Sequence, residues 1–323
     1  MSSGMWAEKY RPQTLDDMVN QTEIVSRLKL FVKNRNLPHL MFVGPAGVGK
    51  TTSILALARD LYGSGYRNFI LELNASDERG IRVIREKVKF FARTAAISSA
   101  VPFKILIMDE ADHLTSDAQH ALRRTMEQYT RTCRFCLIGN YSESIIDPIQ
   151  SRCSIFRFGP LSEADTKAWI RSIAEKENVN LIEEGLDALY EVSGGDLRKA
   201  VNLLQAAAAT QGGRVDDVAV YGVLGKVSPQ RIRDMITMGL KSEFLEAREI
   251  LRELLVDEGL AAEDILRMAY SELMRMNIPE LWKIRLSEAM GEVDYRLTQG
   301  SRAEIQLSSL LAKLALAGEE MDR

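Results

Sequence analysis

The stretch that decides the fold is Gly44-Pro45-Ala46-Gly47-Val48-Gly49-Lys50-Thr51. It fits the pattern G-x-x-x-x-G-K-[ST] at every fixed position, after the apolar run 40–43 and before a helical pattern that begins near Lys50. Its glycines let backbone N–H groups turn inward around a phosphate, and the helix start adds partial positive charge. The sequence therefore predicts a phosphate-binding loop in which Lys50 reaches the β- and γ-phosphates and the Thr51 hydroxyl is a ligand of Mg²⁺.

Further apolar, β-prone runs follow this loop at residues 69–73, 105–108, 135–138 and 155–158. Nearly continuous apolar runs are typical of strands in a parallel sheet that is covered on both faces. Helical spacing at residues 51–61 and 116–129 lies between them. This alternation predicts an α/β fold with a doubly wound parallel sheet.

The pattern changes after residue 161, and no further strand run is evident. Ser162 is a suitable N-cap for a helix, and Gly-Gly pairs at 194–195 and 212–213 interrupt the helical pattern that follows. Apolar residues at 250, 251, 254 and 255 have helical spacing. We therefore expect an α/β domain at residues 1–161, a small helical domain at 162–227 and a second helical domain at 228–323.

Length and composition restrict the function classes. The 323 residues are 46% hydrophobic and 27% charged, which is ordinary for a protein with a sizeable core and unlike collagen, disordered chains or disulfide scaffolds. No export signal and no apolar run of about 20 residues is evident, so we expect neither secretion nor a membrane span. The net charge is −3, yet residues 1–160 contain 22 basic and 16 acidic side chains. A positive face on the first half is therefore compatible with the composition.

The run 105–108 ends in two acids, Asp109 and Glu110. Downstream of a phosphate-binding loop, this position predicts that Asp109 joins the Mg²⁺ shell and that Glu110 orients or deprotonates a water. A carboxylate beside the metal ligand favours hydrolysis over transfer to a small molecule.

Several motifs occur together in order, and the series resembles the small subunits of replication factor C, the sliding-clamp loaders of archaea and eukaryotes within the AAA+ ATPases. The motifs are Trp6-Ala7-Glu8-Lys9-Tyr10-Arg11-Pro12, the phosphate loop, Asn74-Ala75-Ser76-Asp77-Glu78-Arg79-Gly80-Ile81, Asp109-Glu110-Ala111-Asp112, Ser151-Arg152-Cys153 and Gly194-Gly195-Asp196-Leu197-Arg198-Lys199-Ala200. The resemblance covers residues 6–200 by motif and the last third by length and helicity only. The family usually has Pro and Thr where this chain has Ala46 and Val48, both at variable positions of the loop.

The resemblance implies roles for individual residues. Asn140 matches the sensor that hydrogen-bonds the attacking water or the γ-phosphate, Arg152 the arginine finger that acts on a neighbouring subunit's nucleotide, and Arg198 the second sensor. With Lys50 and Glu110 these form the expected catalytic set. The expected nucleotide-binding set is Tyr10, Arg11, Gly44, Pro45, Ala46, Gly47, Val48, Gly49, Lys50, Thr51, Thr52, Asn140 and Arg198.

The resemblance also implies architecture and partners. The three parts become a nucleotide-binding AAA+ domain, a helical lid and a helical collar for oligomerisation. The expected function is an ATPase subunit that loads the ring-shaped sliding clamp PCNA onto primed DNA, with ATP and Mg²⁺ as cofactors. The expected partners are a larger clamp-loader subunit, copies of the chain itself in a heteropentamer, PCNA and primer–template DNA, in the cytoplasm of an archaeon or the nucleus of a eukaryote.

Other functions stay open at this point. A branch-migration helicase or another AAA+ motor has the same phosphate loop. A structural subunit that keeps a degenerate site and does not hydrolyse nucleotide is a further alternative. The intact Lys50, Thr51, Asp109 and Glu110 argue against the structural subunit. A protein unfoldase is disfavoured because residues 74–78 lack the aromatic pore loop that we expect of one.

A DNA-binding face is derived from the segment 79–93, which has six basic residues and one acid. On a uniform α-helix, Arg82, Arg85, Lys89 and Arg93 fall on one side, opposite Ile84, Val88 and Phe91. Such a row of cations is suited to DNA phosphates, and Arg123 and Arg124 are weaker additions. A solvated helix face is the alternative.

Two further segments are less informative. The resemblance implies that the loop 94–103 is a candidate surface for the sliding clamp, through Ile97 and Val101; a packed connecting loop is the alternative. Cys133 and Cys136 resemble half a zinc knuckle, but residues three apart on a strand point to opposite faces, so we expect buried thiols.

Overall fold

The computed structural model describes residues 4–94, 96, 101–210, 212–225 and 227–321. The chain divides into two compact units, residues 1–220 and 221–323. The first unit contains one sheet of five parallel strands in the order β2-β3-β4-β1-β5. These strands are β1 (His39–Val43), β2 (Ile70–Asn74), β3 (Lys104–Asp109), β4 (Cys133–Gly139) and β5 (Cys153–Arg157). The α/β prediction and all five predicted strands are thereby confirmed.

Both faces of this sheet are covered, and the strand side chains alternate between two apolar clusters. Leu40 and Phe42 of β1 pack in one cluster with residues of the two helices at 22–34 and 50–62. Met41 and Val43 pack in the other, with residues of the helical segments at 81–93 and 116–128. Burial on both faces explains why the strands read as continuous apolar runs.

The α-helices of residues 1–223 lie around and after the sheet. They are α1 (Trp6–Lys9), α2 (Thr22–Asn34), α3 (Lys50–Tyr62), α4 (Ile81–Val83), α5 (Lys89–Arg93), α6 (Ser116–Gln128), α7 (Asp147–Gln150), α8 (Glu163–Lys176), α9 (Glu183–Ser193), α10 (Leu197–Thr210) and α11 (Asp217–Val223). Short 3₁₀ segments occur at Leu15–Asp17, Gly63–Phe69, Ala111–His113 and Ser142–Ser144. The hydroxyl of Ser162 caps α8 by accepting from the Asp165 N–H at 3.1 Å, as the sequence predicts.

Two expectations about local structure need correction. Two-residue strands, β6 (Asn180–Leu181) and β7 (Arg214–Val215), pair in parallel, although the sequence indicates no strand after residue 161. Strands this short cannot produce a periodic apolar run, so the pattern contains no trace of them.

The segment 81–93 is not a uniform α-helix, because Ile84–Val88 forms a π-helical turn between α4 and α5. Its buried residues are Ile84, Val88 and Ala92, four residues apart. In an α-helix, each four-residue step rotates about 40° past a full turn. A wider turn keeps all three residues facing the sheet.

The second unit is helical around a single apolar core that includes Ile236, Leu251, Ile265, Leu286 and Leu311. Its helices are α12 (Pro229–Leu240), α13 (Phe244–Arg252), α14 (Ala262–Arg275), α15 (Glu280–Thr298) and α16 (Ala303–Met321), with a π-helical segment at Glu253–Asp257 after α13. Within the described ranges, no helix is both long enough and apolar enough to cross a bilayer.

The three cysteines are free thiols, and Cys133 and Cys136 of β4 are buried in the two different apolar clusters. Burial raises the pKa of Cys133 and Cys153 to about 12, so these thiols stay protonated at neutral pH. The expectation of buried thiols on opposite faces of β4 is confirmed.

His39 on β1 is a buried titratable group, only 7% exposed, whose Nδ1 accepts from the Phe135 N–H at 3.2 Å. Burial, with a smaller contribution from Arg134, lowers the pKa of His39 to about 4. The unfolded chain binds a proton near pH 6.5, whereas the folded chain does not until about pH 4. Stability is therefore lost as the pH falls between these values, by up to about 3 kcal/mol.

We expect urea denaturation of the first unit to require less urea at pH 5 than at pH 7.5, and His39→Gln to flatten that difference. A Trp282→Phe background leaves Trp6 and Trp169 as reporters, both in the first unit. The same pH dependence in chains with and without His39 would contradict this assignment.

Candidate active site

The candidate site lies where three neighbouring strands end. Because β4 lies between β3 and β1, Asn140 after β4 falls between Asp109 at the end of β3 and the phosphate loop after β1. A cleft of about 220 Å³ opens there. It is lined by Tyr10, Arg11, Ala46, Gly47, Val48, Gly49, Lys50, Thr51, Thr52, Asp109, Glu110, Asp112, Asn140 and Arg198, among others.

The shape of the phosphate loop depends on two glycines with positive φ. Gly44 has φ 148°, and a Cβ there would overlap the carbonyl oxygen of Phe158. Gly47 has φ 71°, and a Cβ there would overlap the Asp196 carboxylate. Position 44 therefore requires glycine for space as well as for backbone conformation, whereas position 47 requires it for its left-handed backbone, because a carboxylate side chain can turn aside. Gly44 and Pro45 do not line the cleft itself, but their carbonyl groups face the lysine that follows.

Lys50 begins α3 and is only 9% exposed. Its Nζ donates to the carbonyl oxygens of Gly44 and Pro45 at 2.5 and 2.6 Å and to Asn140 Oδ1 at 3.0 Å. Burial lowers the pKa of Lys50, and the nearby carboxylates, Asp109 first among them, partly offset that effect. Three oxygen atoms thus hold the ammonium group in the lining of the cleft.

Two acids follow β3 and have different surroundings. Asp109 Oδ2 accepts from the Thr51 hydroxyl at 2.8 Å, which brings together the two predicted metal ligands. Glu110 has a left-handed backbone with φ 53°, and its carboxylate accepts from the Ser76 hydroxyl, with His113 Nδ1 3.7 Å away. No cluster of three His, Cys, Asp or Glu side chains within the described ranges is arranged to hold a metal by itself.

The loop after β4 is held by two polar side chains. Asp112 Oδ2 accepts from the Asn140 backbone N–H at 3.0 Å. This bond fixes the backbone from which the Asn140 side chain projects. Gln119 of α6 is 4% exposed, and its amide bonds to Ser144 O and the Ile146 N–H, both at 2.9 Å. These bonds fix the polypeptide from Asn140 to α7.

The N-terminal segment and the helices after residue 162 complete the cleft. Arg11 Nε donates to Thr52 Oγ1 at 3.2 Å, and the Tyr10 hydroxyl donates to Glu177, at the end of α8, at 2.8 Å. Arg198, at the start of α10, also lines the cleft. All members of the predicted nucleotide-binding set except Gly44 and Pro45 therefore line one cleft.

Arg152 is the predicted catalytic residue that does not line this cleft. Its Nη1 donates to Pro148 O at 2.7 Å, and its Nη2 pairs with Glu127 at 2.6 Å on the protein surface. The guanidinium group is therefore separated from the nucleotide cleft of its own chain.

The four basic residues predicted to bind DNA are all exposed on the helical segment 81–93. Arg82 pairs with Glu86 at 3.0 Å, whereas Arg85, Lys89 and Arg93 have no acidic partner in the part of the chain that the structure describes. Phe90, between them, is 65% exposed. Of the weaker additions, Arg123 pairs with Glu127 at 3.2 Å.

The candidate clamp-contacting loop is only partly described. Val101 and Phe103 are each 1% exposed, so at these positions the segment is a packed connection and Val101 is not available to a partner. Ile97 lies outside the described residues, as do residues 95 and 98–100.

The structure adds residues to which sequence reasoning gave no role. Asp196 closes over Gly47, Asp112 holds the Asn140 loop, Ser76 and His113 contact Glu110, and Glu127 pairs with Arg152. Asp112, Asp196 and Ser76 lie inside the quoted motifs, and this position in a motif is the sequence signal that could have pointed to them. Glu127 lies in an ordinary amphipathic helix, where no sequence signal marks it.

The parallel sheet and its phosphate loop, with Lys50 at the start of α3 and Asp109 and Glu110 at the end of β3, define an AAA+ ATPase domain. Family models match accordingly: the ATPase family associated with various cellular activities at residues 40–161, the RCF1/5-like AAA+ ATPase lid domain at 168–209, and the replication factor C C-terminal domain at 227–313. The chain belongs to the replication factor C small subunit family, as the similarity to full-length relatives shows.

Among those relatives, the replication factor C small subunit of Sulfurisphaera tokodaii is 55% identical over 98% of this chain and 96% of its own length. That of Aeropyrum pernix is 52% identical over 98% of each chain. Among solved structures, the Thermotoga maritima RuvB Holliday junction branch migration motor is 18% identical, with a TM-score of 0.54 over 71% of this chain and 78% of its own. At that identity the likeness to RuvB shows the fold alone.

Proposed function

We propose that this chain binds and hydrolyses ATP as a subunit of a clamp loader that places the PCNA ring on primed DNA. One observation carries the proposal: Lys50, Thr51, Asp109, Glu110, Asn140 and Arg198 converge on one cleft, while Arg152 lies outside it on the surface. Hydrolysis shared between subunits requires a cleft that has the other catalytic residues but takes its arginine finger from a neighbouring chain.

The cleft is suited to a nucleoside triphosphate. The phosphate loop presents backbone N–H groups at the start of α3, and Lys50 exchanges its carbonyl contacts for phosphate oxygens. Tyr10 and Arg11 frame the nucleotide from the N-terminal side, and Arg198 approaches from α10. Because Tyr10 is bonded to α8 and Arg11 to Thr52, we infer that nucleotide binding orders the N-terminal segment, the sheet and the helices after residue 162 together.

A hydroxyl and a carboxylate 2.8 Å apart are the oxygen ligands that Mg²⁺ prefers, so Thr51 and Asp109 fit this ion. When bound at these residues, the ion would neutralise charge on the phosphate oxygens. Thr51 and Asp109 hold their positions through α3 and β3, and each supplies one oxygen ligand.

Glu110 is the general base of the proposed reaction and takes a proton from the attacking water. In the structure, its carboxylate is bonded to Ser76, so it must turn toward the phosphate loop before it acts. Asn140, bonded to Lys50 Nζ at 3.0 Å, orients the water or the γ-phosphate. The guanidinium group of Arg152 from a neighbouring chain stabilises the charge that develops.

We further propose that the segment 81–93 contacts the DNA backbone through Arg82, Arg85, Lys89 and Arg93. Support comes from their exposure and from the three cations without acidic partners among the described residues. Cations of this kind contact phosphates without reading bases.

Reversing the charge of Arg85 and Lys89 to Glu should weaken DNA binding and DNA-stimulated ATPase activity and leave ATP affinity unchanged. Because the variant neutralises two fewer phosphates, its log K should fall less steeply with log salt, by about 2 for each copy that binds DNA. The double reversal of Lys33 and Arg35, on and just after α2, is the matched control. Unchanged salt-dependent binding in the assembled complex would remove the DNA face from the proposal.

The proposal includes the division into an AAA+ domain at 1–161, a lid at 162–227 and a collar at 228–323, supported by the three family matches. The partners are a larger subunit and further copies of this chain in a heteropentamer, in the compartment that holds the replicating DNA. The test is ATP turnover of the reconstituted assembly with and without PCNA and primed template. Stimulation by both is expected, and stimulation by neither would overturn the function.

A further inference from the structure

The finger residue Arg152 has a defined environment on its own chain. Its Nη1 donates to Pro148 O at 2.7 Å and to Ser151 Oγ at 3.3 Å, and its Nη2 pairs with Glu127 Oε1 at 2.6 Å. Its Nε has no partner among the described residues, and 35% of the side chain is exposed. The guanidinium group is therefore held at its two terminal nitrogen atoms and still has N–H donors for a ligand.

Glu127 is itself restrained on α6. Arg123, one turn earlier on the same helix, donates to the same Oε1 atom at 3.2 Å. Arg123 first, and then Arg152, lower the pKa of Glu127, so this carboxylate is ionised at neutral pH. Glu127 therefore has a second cationic partner on its own helix, independent of Arg152.

Hydrogen bonds link the two elements that carry these partners. Gln119, two turns before Glu127 on α6, bonds to Ser144 O and to the Ile146 N–H, just before α7 and Arg152. This amide ties the segment at 144–146 to α6, so the polypeptide that leads to Arg152 is attached to the helix that carries Glu127.

We propose that Glu127 is a positioning residue that aims the Arg152 finger at the nucleotide of the neighbouring subunit. The inference rests on the proposed function of Arg152 in a neighbouring active site. An arginine side chain has many rotamers, and fixing it before the subunits meet removes an entropic cost from the transition state. The contact with Glu127 does this without occupying the Nε donor.

In an alternative role, Glu127 competes with phosphate for the guanidinium group and holds the finger away from the nucleotide. The two roles predict opposite effects on the rate, because a competing carboxylate slows hydrolysis and an aiming carboxylate speeds it. The Nε without a partner among the described residues, the partial exposure of the Arg152 side chain and the separate pairing of Glu127 with Arg123 favour aiming.

The test uses two chains assembled with the large subunit. The finger-donor chain is Lys50→Ala with Arg152 intact, and the acceptor chain is Arg152→Ala with Lys50 intact. ATP turnover above that of assemblies containing only one variant measures donor fingers acting on acceptor sites. Glu127→Gln is then added to the donor chain or, separately, to the acceptor chain.

In the donor chain, Glu127→Gln should lower kcat about three- to tenfold and leave the KM for ATP unchanged, as expected for a partly exposed contact that orients a group in the transition state. In the acceptor chain it should change nothing, which a merely structural role does not predict. Glu292→Gln in the donor chain is the matched control, because Glu292 also pairs with an arginine one turn away and with a cation from another helix.

Equal loss in both chains, no loss in the donor chain, or a gain in turnover would each overturn the inference and leave the shared site intact. No turnover in the mixture before Glu127 is changed would instead overturn the proposed role of Arg152, and the inference with it.

Discussion

Arg152→Ala will lower ATP turnover of the assembled complex by about 10³- to 10⁵-fold and leave ATP affinity nearly unchanged. The reason is that the guanidinium group contacts Glu127 and Pro148 and does not line the cleft of its own chain. The substitution therefore removes transition-state charge stabilisation from a neighbouring site and nothing from nucleotide binding. Single-turnover kinetics and ATP titration of the same assembly measure the two effects separately.

Arg152→Lys refines this prediction, because lysine keeps the positive charge but lacks the planar fork that contacts two phosphate oxygens. Its turnover should lie between those of the native chain and Arg152→Ala. Arg171→Ala, which removes an exposed arginine paired with Glu183, is the control for removal of a surface cation. Native turnover by the Arg152→Ala assembly, or by an isolated native monomer, would contradict the shared site.

Glu110→Gln will lower turnover by about 10²- to 10⁴-fold while the assembly still binds ATP. The amide keeps the size of the side chain and its contact with Ser76, but it cannot accept a proton from water. Binding is preserved because Lys50 and the Thr51–Asp109 pair are unchanged. A filter-binding assay should find uncleaved ATP on the complex for many native turnovers.

Two further variants serve as controls for that result. Lys50→Ala should abolish ATP binding itself, because it removes the buried ammonium group that the phosphate loop holds beside the cleft. Glu72→Gln, the same chemical change on an exposed residue of β2, should leave both binding and turnover at native values. If Glu110→Gln hydrolysed ATP at the native rate, another group would have to be the base.

In a mixed assembly, the two main variants affect different active sites. Glu110→Gln prevents hydrolysis at the site of the chain that carries it, whereas Arg152→Ala prevents hydrolysis at the site of the neighbouring chain. A single copy with both changes should therefore silence two sites of an otherwise native assembly.

Much of the first unit could be predicted because its signals are local. Each of the five strands is a short apolar run, and the phosphate loop is a contiguous motif with a backbone shape that its glycines permit. The exposure of Arg82, Arg85, Lys89 and Arg93 likewise followed from spacing. The π-helical turn at Ile84–Val88 did not, because the sheet determines where Ile84, Val88 and Ala92 must face.

The amino-acid sequence by itself determined the α/β class, the phosphate loop with Lys50 and Thr51, and the acids at the end of β3, since each depends on residues close to one another along the chain. Only the tertiary structure decided that β4 carries Asn140 between the loop and Asp109, that Asp196 covers Gly47, and that Glu127 holds Arg152. These contacts join residues that lie far apart in the sequence. Strand order and helix packing bring them together, and no periodicity along the chain encodes that geometry.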